Sequence, residues 1–255
     1  NLILPFFSIN EMENHFFYVL IAAMIQGLTE FLPISSSGHL VIIKDIFNYD
    51  VKDLSFEIML HLGTVFSIII YYYKDILKLL EPSKENFNNI KLIVIACLPV
   101  SIFGLMFKDF IELNFNDLDY LPYTYLISAV ALLTTKFFNG TKKLSIYVIV
   151  IMGLFQILAL FPGVSRSGIT ISTLLILGVN KDDAIRFSFI MAIPLIVGAA
   201  IIDGDFSLNI ISLVGVLVSF IFGWMAIYLS NSWITVIDVP FLDKILEITF
   251  FGILF

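Results

Sequence analysis

Residues 26–39 read QGLTEFLPISSSGH: Gln26, Gly27, Leu28, Thr29, Glu30, Phe31, Leu32, Pro33, Ile34, Ser35, Ser36, Ser37, Gly38, His39. They end an apolar run that begins near Phe16. Pro33 removes a backbone donor and biases Leu32 away from helix, so a helix entering from the N-terminal side stops there. A carboxylate, three hydroxyls and an imidazole then fall within ten residues. In a soluble chain this would be an ordinary surface turn. In a membrane chain it would be a polar cluster at depth, which requires a reason.

Composition decides between the two. Of the 255 residues, 59% are hydrophobic and 14% charged, and the mean hydropathy is +1.00. Soluble domains carry roughly 25% charged residues. Spanning a bilayer takes about 20 apolar residues, and runs near that length occur at 16–34, 56–73, 90–107, 121–138, 144–161, 187–202, 210–229 and 241–255. The sequence therefore predicts an all-α polytopic membrane protein. The alternating short segments of a membrane β-barrel are absent from the pattern. The opening run resembles the others in kind and is not expected to be a removable signal peptide. Cys97 stands alone in an apolar run, so no disulfide framework exists. The net charge of −7 argues against a nucleic-acid partner.

Two runs are interrupted differently from the rest. The first ends in Pro33 and the serine turn; the fifth ends in Phe161-Pro162-Gly163-Val164-Ser165-Arg166-Ser167-Gly168. Each is followed by a short apolar piece, 40–48 and 169–179. Irregular backbone at membrane depth is tolerated only where protein or a cavity surrounds it. These two are expected to be re-entrant helix–loop–helix hairpins, and the other six to be full spans.

The hairpins also share a pattern: Gly27, Leu28, Glu30, Leu32 and Ile34–Gly38 parallel Gly153, Leu154, Gln156, Leu158 and Val164–Gly168. Ser35 and Ser165 lie 130 residues apart, and Phe56 and Phe187 lie 131 apart. One integral membrane domain over 1–255 is expected, with internal repeats at about 16–138 and 144–255. With the N-terminus outside, the cytoplasmic loops receive Lys74, Lys78, Lys84, Lys91, Lys136, Lys142, Lys143, Lys181, Arg186 and Lys244, and the outer face only Lys44, Lys52 and Lys108. That asymmetry is the positive-inside pattern, and it makes the two repeats inverted. Inverted repeats with interrupted helices also suit a transporter.

Glu30 and Arg166 are the ionisable residues deepest in the hairpins. Each costs about 2.5–3.5 kcal/mol at the bilayer centre on insertion scales, so each requires a partner or a wet cavity. A structural pair locking the hairpins is the plain reading, but it has no need of the hydroxyls around it. The cluster suits phosphoryl recognition. Arg166 has the planar fork that matches phosphate oxygens. Gly38 and Gly168 are expected just ahead of short helices, where backbone N–H groups favour anions. Ser35, Ser37, Ser165, Ser167 and Thr170 add donors, with Gln26 and Gln156 alongside.

Ser36 is the candidate nucleophile, and His39, three residues on, the candidate proton carrier. Glu30 is expected to orient His39 or bind a cation. Glu57 and His61, four residues apart, are cavity-lining candidates. His15, Trp224, Trp233 and the Tyr71–Tyr73 run read as interfacial, and Asp182, Asp183 and Arg186 as a solvated turn and helix start.

At this point QGLTEFLPISSSGH and PGVSRSGIT resemble the two signature regions of the bacterial undecaprenyl-diphosphate phosphatase family, the bacitracin-resistance proteins. FEIMLHLGT, ACLPVSIFGLMF and RFSFIMAIP resemble further blocks of that family in the same order, so the likeness spans roughly residues 16–230. The resemblance implies a membrane phosphatase at the outer face of the bacterial cytoplasmic membrane. Its implied reaction converts undecaprenyl diphosphate into the monophosphate and inorganic phosphate, recycling the lipid carrier of peptidoglycan synthesis. It implies Glu30, Ser36, His39 and Arg166 as catalytic residues, with Gln26 at the first position of an E/Q-x-x-x-E motif. It also implies a divalent cation, Mg2+ or Ca2+, with Glu30 as a ligand. Since Gln26 replaces an acid, one carboxylate fewer is on hand for it. The implied partners are the lipid substrate and membrane lipid, with a homodimer as the candidate assembly. The alternative function is a polyprenyl-phosphate flippase or transporter using the same anion site.

Overall fold

The computed structural model describes residues 9–48, 54–115, 118–138, 140–203 and 209–234. It is built of helices, with no strand among the described residues beyond one isolated bridge between Lys142 and Val179. In chain order the α-helices are α1 (Ile9–Phe31), α2 (Ser36–Ile46), α3 (Leu54–Tyr71), α4 (Tyr73–Leu80), α5 (Lys84–Phe115), α6 (Leu121–Thr135), α7 (Ile146–Phe155), α8 (Arg166–Ile176), α9 (Lys181–Asp203) and α10 (Ile210–Ile234). Short 3₁₀ turns at Leu118–Tyr120 and Gln156–Leu160 precede α6 and follow α7.

Among the described residues three helices are long and apolar enough to cross a membrane: Lys84–Ile111 of α5, Lys181–Ile202 of α9 and Ile210–Leu229 of α10. The other expected spans differ. The run at 56–73 forms α3, and the chain then bends by 78° into α4. The run at 121–138 gives the 15-residue α6, which rises only about 22 Å. The segment 241–255 lies outside the described residues, as does the side chain of Trp233.

Both interrupted runs fold as helix–turn–helix units, α1–α2 and α7–α8. The chain breaks at Pro33 in the first. In the second it tightens through the 3₁₀ turn and reverses at Pro162-Gly163, with Gly163 at φ 92°. An alanine there would be strained and would also meet Thr124 Oγ1. The second helices begin earlier than the apolar pattern suggests. Ser35 and Ser165 are N-caps, and α2 and α8 are each 11 residues long, starting at Ser36 and Arg166. Gly38 and Gly168 therefore lie inside the first helical turn rather than ahead of it. A serine cap extends a helix into a polar stretch because its hydroxyl satisfies an orphan first-turn N–H.

Packing follows small residues. A Cβ on Gly27 would come within 2.6 Å of the Ser219 carbonyl, and one on Gly63 within 2.6 Å of the Val216 carbonyl, so α10 lies hard against both α1 and α3. Close approach through small residues is the usual basis of helix association in lipid. Ser67 donates to the Phe220 carbonyl (2.8 Å) and Ser219 to the Leu60 carbonyl (2.8 Å), tying the same helices. In α5, Pro99 loosens the backbone ladder, and Gln156 Nε2 donates to the Ala96 carbonyl at 3.2 Å beside it. Phe31, Ile68, Tyr72, Phe189 and Ile227 share one buried cluster. Tyr72 is thus a core residue rather than an interfacial one, because α3 turns into α4 just there; Tyr73 and Trp224 are exposed.

Candidate active site

The two turns meet around Glu30, at the last turn of α1. Arg166, the first residue of α8, places Nη2 2.5 Å from Glu30 Oε1. Ser36, the first residue of α2, donates to Glu30 Oε2 at 2.7 Å. Gln26, one helical turn before Glu30, donates from Nε2 to the same oxygen at 3.0 Å. His61 of α3 brings Nε2 to 3.7 Å from it. The pair is buried: the side chains of Glu30 and Arg166 are 7% and 16% exposed. Four helices thus converge on one carboxylate.

Other predicted residues hold the turns in shape. Ser35 Oγ accepts from Gly38 N (3.4 Å) and Ser165 Oγ from Gly168 N (3.0 Å), so both glycine N–H groups are already used by caps. Ser35 pairs with Ser37 and Ser165 with Ser167, each at 3.2 Å between hydroxyls. Ser167 donates toward the carbonyls of Glu30 (3.4 Å) and Leu32 (3.2 Å), binding the second turn to the first. Thr170 donates to the Arg166 carbonyl (2.8 Å) and meets Ser188 Oγ at 2.6 Å. Arg166 Nη1 donates to the Ser188 carbonyl at 3.2 Å, which aims the guanidinium.

His39 does not turn to Ser36. Its Nδ1 lies 2.6 Å from the Ser35 carbonyl and 3.2 Å from the Tyr125 hydroxyl. Ser36 bonds Glu30 instead, so the carboxylate is the group placed to take the serine proton. Glu57 forms an ion pair with Lys44, while His61 Nδ1 lies 2.9 Å from the Glu57 carbonyl. Arg186 pairs with Asp183 and Asp75, joining the start of α9 to α4.

A cavity of about 450 Å³ opens beside the pair, between α5, the 3₁₀ turn and α9. His61, Gln156 and Arg166 give it polar lining; Leu105, Leu160 and Ile196 make much of the rest apolar. A polar end beside an apolar wall suits an amphiphile with an anionic head.

Sequence reasoning missed three participants. Ser128 of α6 accepts from Ser165 N (2.8 Å) and donates to the Gly163 carbonyl (3.4 Å), bracing the second turn. Tyr125 packs edge-on against His39, with ring centroids 5.8 Å apart. Ser188 anchors Arg166 and Thr170. A hydroxyl in an apolar helix usually bonds its own backbone, so nothing local marked these as different.

For a divalent cation the donors are few. Among the described residues no three His, Cys, Asp or Glu side chains form a group. Glu30 is the carboxylate in the cluster, and Gln26 Oε1 is a buried oxygen without a partner. This set fits a magnesium-like ion held by one or two protein oxygens and completed by substrate phosphates. It does not fit an all-protein cage.

An all-helical membrane protein with a serine, a carboxylate and an arginine joined at two facing turns belongs to the class of membrane proteins that handle phosphorylated lipids or anions. The comparisons narrow the class. The family model for bacitracin resistance protein BacA matches residues 19–241, and the chain belongs to that family. Its relatives include proteins named undecaprenyl-diphosphatase. The one from Thermosipho africanus is 38% identical over 216 residues, covering 82% of this chain and 87% of the relative. That from Carboxydothermus hydrogenoformans is 39% identical, covering 84% of each. That from Saccharophagus degradans is 36% identical over 239 residues, covering 86% of this chain and 90% of the relative.

Proposed function

We propose that this chain hydrolyses undecaprenyl diphosphate to undecaprenyl phosphate and inorganic phosphate, returning the lipid carrier to peptidoglycan synthesis. The observation that carries the reading is the single carboxylate, Glu30, shared by the Ser36 hydroxyl and the Arg166 guanidinium. The names of the relatives supply the substrate. The reading places the protein in the bacterial cytoplasmic membrane with the site open to the outer face. It takes the fold as six spans and two re-entrant hairpins in inverted repeats. The paired serine caps of α2 and α8 and the charge asymmetry of the loops support that topology.

In the reaction, the diphosphate head enters the cavity and the prenyl tail stays in lipid. Arg166, held flat by Ser188 and Glu30, takes phosphate oxygens with its fork. The first N–H groups of α2, on Ser36 and Ser37, precede any intrahelical partner and add positive field. Ser36 Oγ attacks the terminal phosphorus and passes its proton to Glu30 Oε2. The bond from phosphorus to the bridging oxygen breaks, and the lipid monophosphate leaves with its electrons. Phosphoryl transfer has a loose transition state, so positioning and charge stabilisation weigh more than a strong base. Water then attacks the phosphoserine, giving a proton to His39; the bond to Ser36 Oγ breaks, and the oxygen recovers its proton from Glu30. Glu30 and Gln26 would hold a divalent cation together with the phosphates, and the cation would neutralise charge on the transferred group.

The test is phosphate release from a C55 or C15 prenyl diphosphate by the purified protein in detergent, where sidedness plays no part. Wild type should release phosphate, and rapid quench should trap phosphate on Ser36. Ser36→Ala should lose on the order of a thousandfold or more, as expected when a nucleophile is deleted. Turnover within tenfold of wild type in Ser36→Ala would exclude the covalent route. Tight lipid-phosphate binding with no release would replace the phosphatase with a carrier.

A further inference from the structure

We infer that Ser35 is a positioning residue whose backbone carbonyl fixes the tautomer of His39, leaving Nε2 as the proton acceptor. The consequence for turnover rests on the phosphatase reading; the tautomer itself does not.

Ser35 sits at φ 64°, ψ 104°. A non-glycine residue in that half of the map is uncommon, and it persists where surrounding structure over-determines it. Capping does not demand it. Ser165, at the matching place in the second hairpin, also accepts from the glycine three residues on and also pairs with the serine two residues on. It does so from an ordinary extended backbone at φ −75°. The strain therefore buys something other than the cap.

The difference between the two caps lies four residues further on. Ser165 is followed by Ile169, whose N–H donates to the Ser165 carbonyl at 2.9 Å, an ordinary first helical bond. Ser35 is followed by His39, whose N–H stands 3.4 Å from the Ser35 carbonyl while its ring Nδ1 stands 2.6 Å from the same oxygen. The carbonyl keeps the backbone donor at the longer distance and holds the side-chain donor at the shorter one. In regular helix α3, His61 Nδ1 makes a similar bond to the Glu57 carbonyl, but at 2.9 Å.

A carbonyl oxygen only accepts, so Nδ1 carries the hydrogen. The Tyr125 oxygen, 3.2 Å from the same nitrogen, shares that hydrogen as a second acceptor. The Tyr125 ring stands nearly perpendicular to the imidazole, at 78°. Gly38 makes the close approach possible, since a Cβ there would lie 2.6 Å from the Tyr125 hydroxyl. Nε2 meets no partner among the described residues and is left to accept a proton. In a two-nitrogen base, the hydrogen bond at one nitrogen sets the role of the other.

The test combines side-chain NMR with turnover. The three histidines of the full chain are labelled with ¹⁵N in detergent micelles, and His15→Gln and His61→Gln assign the His39 signals. Wild type should show a single His39 form protonated at Nδ1. Ser35→Gly keeps the carbonyl and takes the left-handed backbone freely, so it should keep that form although the cap hydroxyl is lost. Ser35→Val, whose branched side chain resists positive φ, should give mixed tautomers. It should also lose on the order of a hundredfold in phosphate release, the scale of one positioned acid–base group. If the Ser35 hydroxyl instead binds phosphate, Gly, Ala and Val should fall equally and Thr should restore activity, which overturns the proposal. A wild-type spectrum protonated at Nε2 overturns it regardless of how any variant folds. Absence of phosphate release by wild type, with the Nδ1–H form present, would overturn the phosphatase reading and leave the positioning role standing.

Discussion

Replacing Glu30 and Arg166 singly and together separates what their contact does for the fold from what it does for chemistry. The charges touch at 2.5 Å with both side chains largely buried. Removing one member of such a pair strands the other and costs about 3–5 kcal/mol. Glu30→Gln leaves Arg166 with only the Ser188 carbonyl, and Arg166→Gln leaves a carboxylate held by Ser36 and Gln26. Independent losses would sum to about 6–10 kcal/mol, but a shared contact can be lost only once. Two glutamines can hydrogen-bond to each other and leave no buried charge. The double variant should therefore be no less stable than either single one, a coupling of roughly 3 kcal/mol or more. Unfolding in detergent, followed by helix signal for all four proteins, measures the cycle. Phosphate release is measured in parallel. Each single variant should lose about 10³-fold or more, the worth of an arginine at a transferring phosphoryl group. The double variant should regain stability without regaining turnover. Additive stability losses would show that the contact holds nothing together. Recovery of turnover in the double variant would show that neither side chain takes part in the reaction.

Four further outcomes follow from other positions. Gly27→Ala should lower stability by about 1–3 kcal/mol, because its Cβ would meet the α10 backbone at 2.6 Å. Gly198→Ala, with nothing within 4 Å of the added methyl, should be neutral or slightly stabilising in the same unfolding assay. Ser128→Ala leaves the buried Ser165 N–H without its acceptor and should cost about 1–3 kcal/mol, with a fall in phosphate release as the Arg166 turn loosens. Gln26→Glu adds a carboxylate beside Glu30. Titration of chelator-treated protein with Mg2+ should show half-maximal phosphate release at about tenfold lower cation, or no shift if the cation is held by phosphates alone.

Much of the site was legible because charge and hydroxyl clusters are expensive in an apolar chain. Pro33 and Pro162-Gly163 marked both turns, and Glu30 and Arg166 stood out as rare ions whose partnership the spacing of the hairpins suggested. The start of each second helix was less legible. Serine and glycine read as turn, yet Ser35 and Ser165 cap helices that begin one residue later, so Ser36, His39 and Arg166 ride on the first helical turn. The supporting residues were not legible. Ser128 and Ser188 look like Thr29, Thr134 or Thr135, which bond carbonyls of their own helices, and only the fold brings the former two to the turns. His61 was flagged merely by its distance from Glu57, whereas its position beside Glu30 depends on α3 packing against α1. The break from α3 into α4 falls within a continuous aromatic run, Tyr71–Tyr73, where no proline or glycine marks it.

At an offset of 130 residues the two turns share their capping residues but not their charged ones. That offset pairs Ser35 with Ser165, Ser37 with Ser167 and Gly38 with Gly168: the residues that cap and shape the turns are the same in both hairpins. It pairs Ser36 with Arg166 and His39 with Ile169, and before the break Glu30 stands where the second hairpin has Gln156: the residues proposed for the reaction differ. Two copies of Ser36 would offer two nucleophiles and no cation, and two copies of Glu30 would repel each other at depth. With one hairpin carrying Glu30, Ser36 and His39 and the other carrying Arg166, the charges of the buried Glu30–Arg166 pair offset each other. In the proposed reaction an arriving diphosphate draws on the guanidinium while Glu30 receives the serine proton, so the demand for neutrality inside the membrane and the demand for a charged catalytic pair fall on the same two residues.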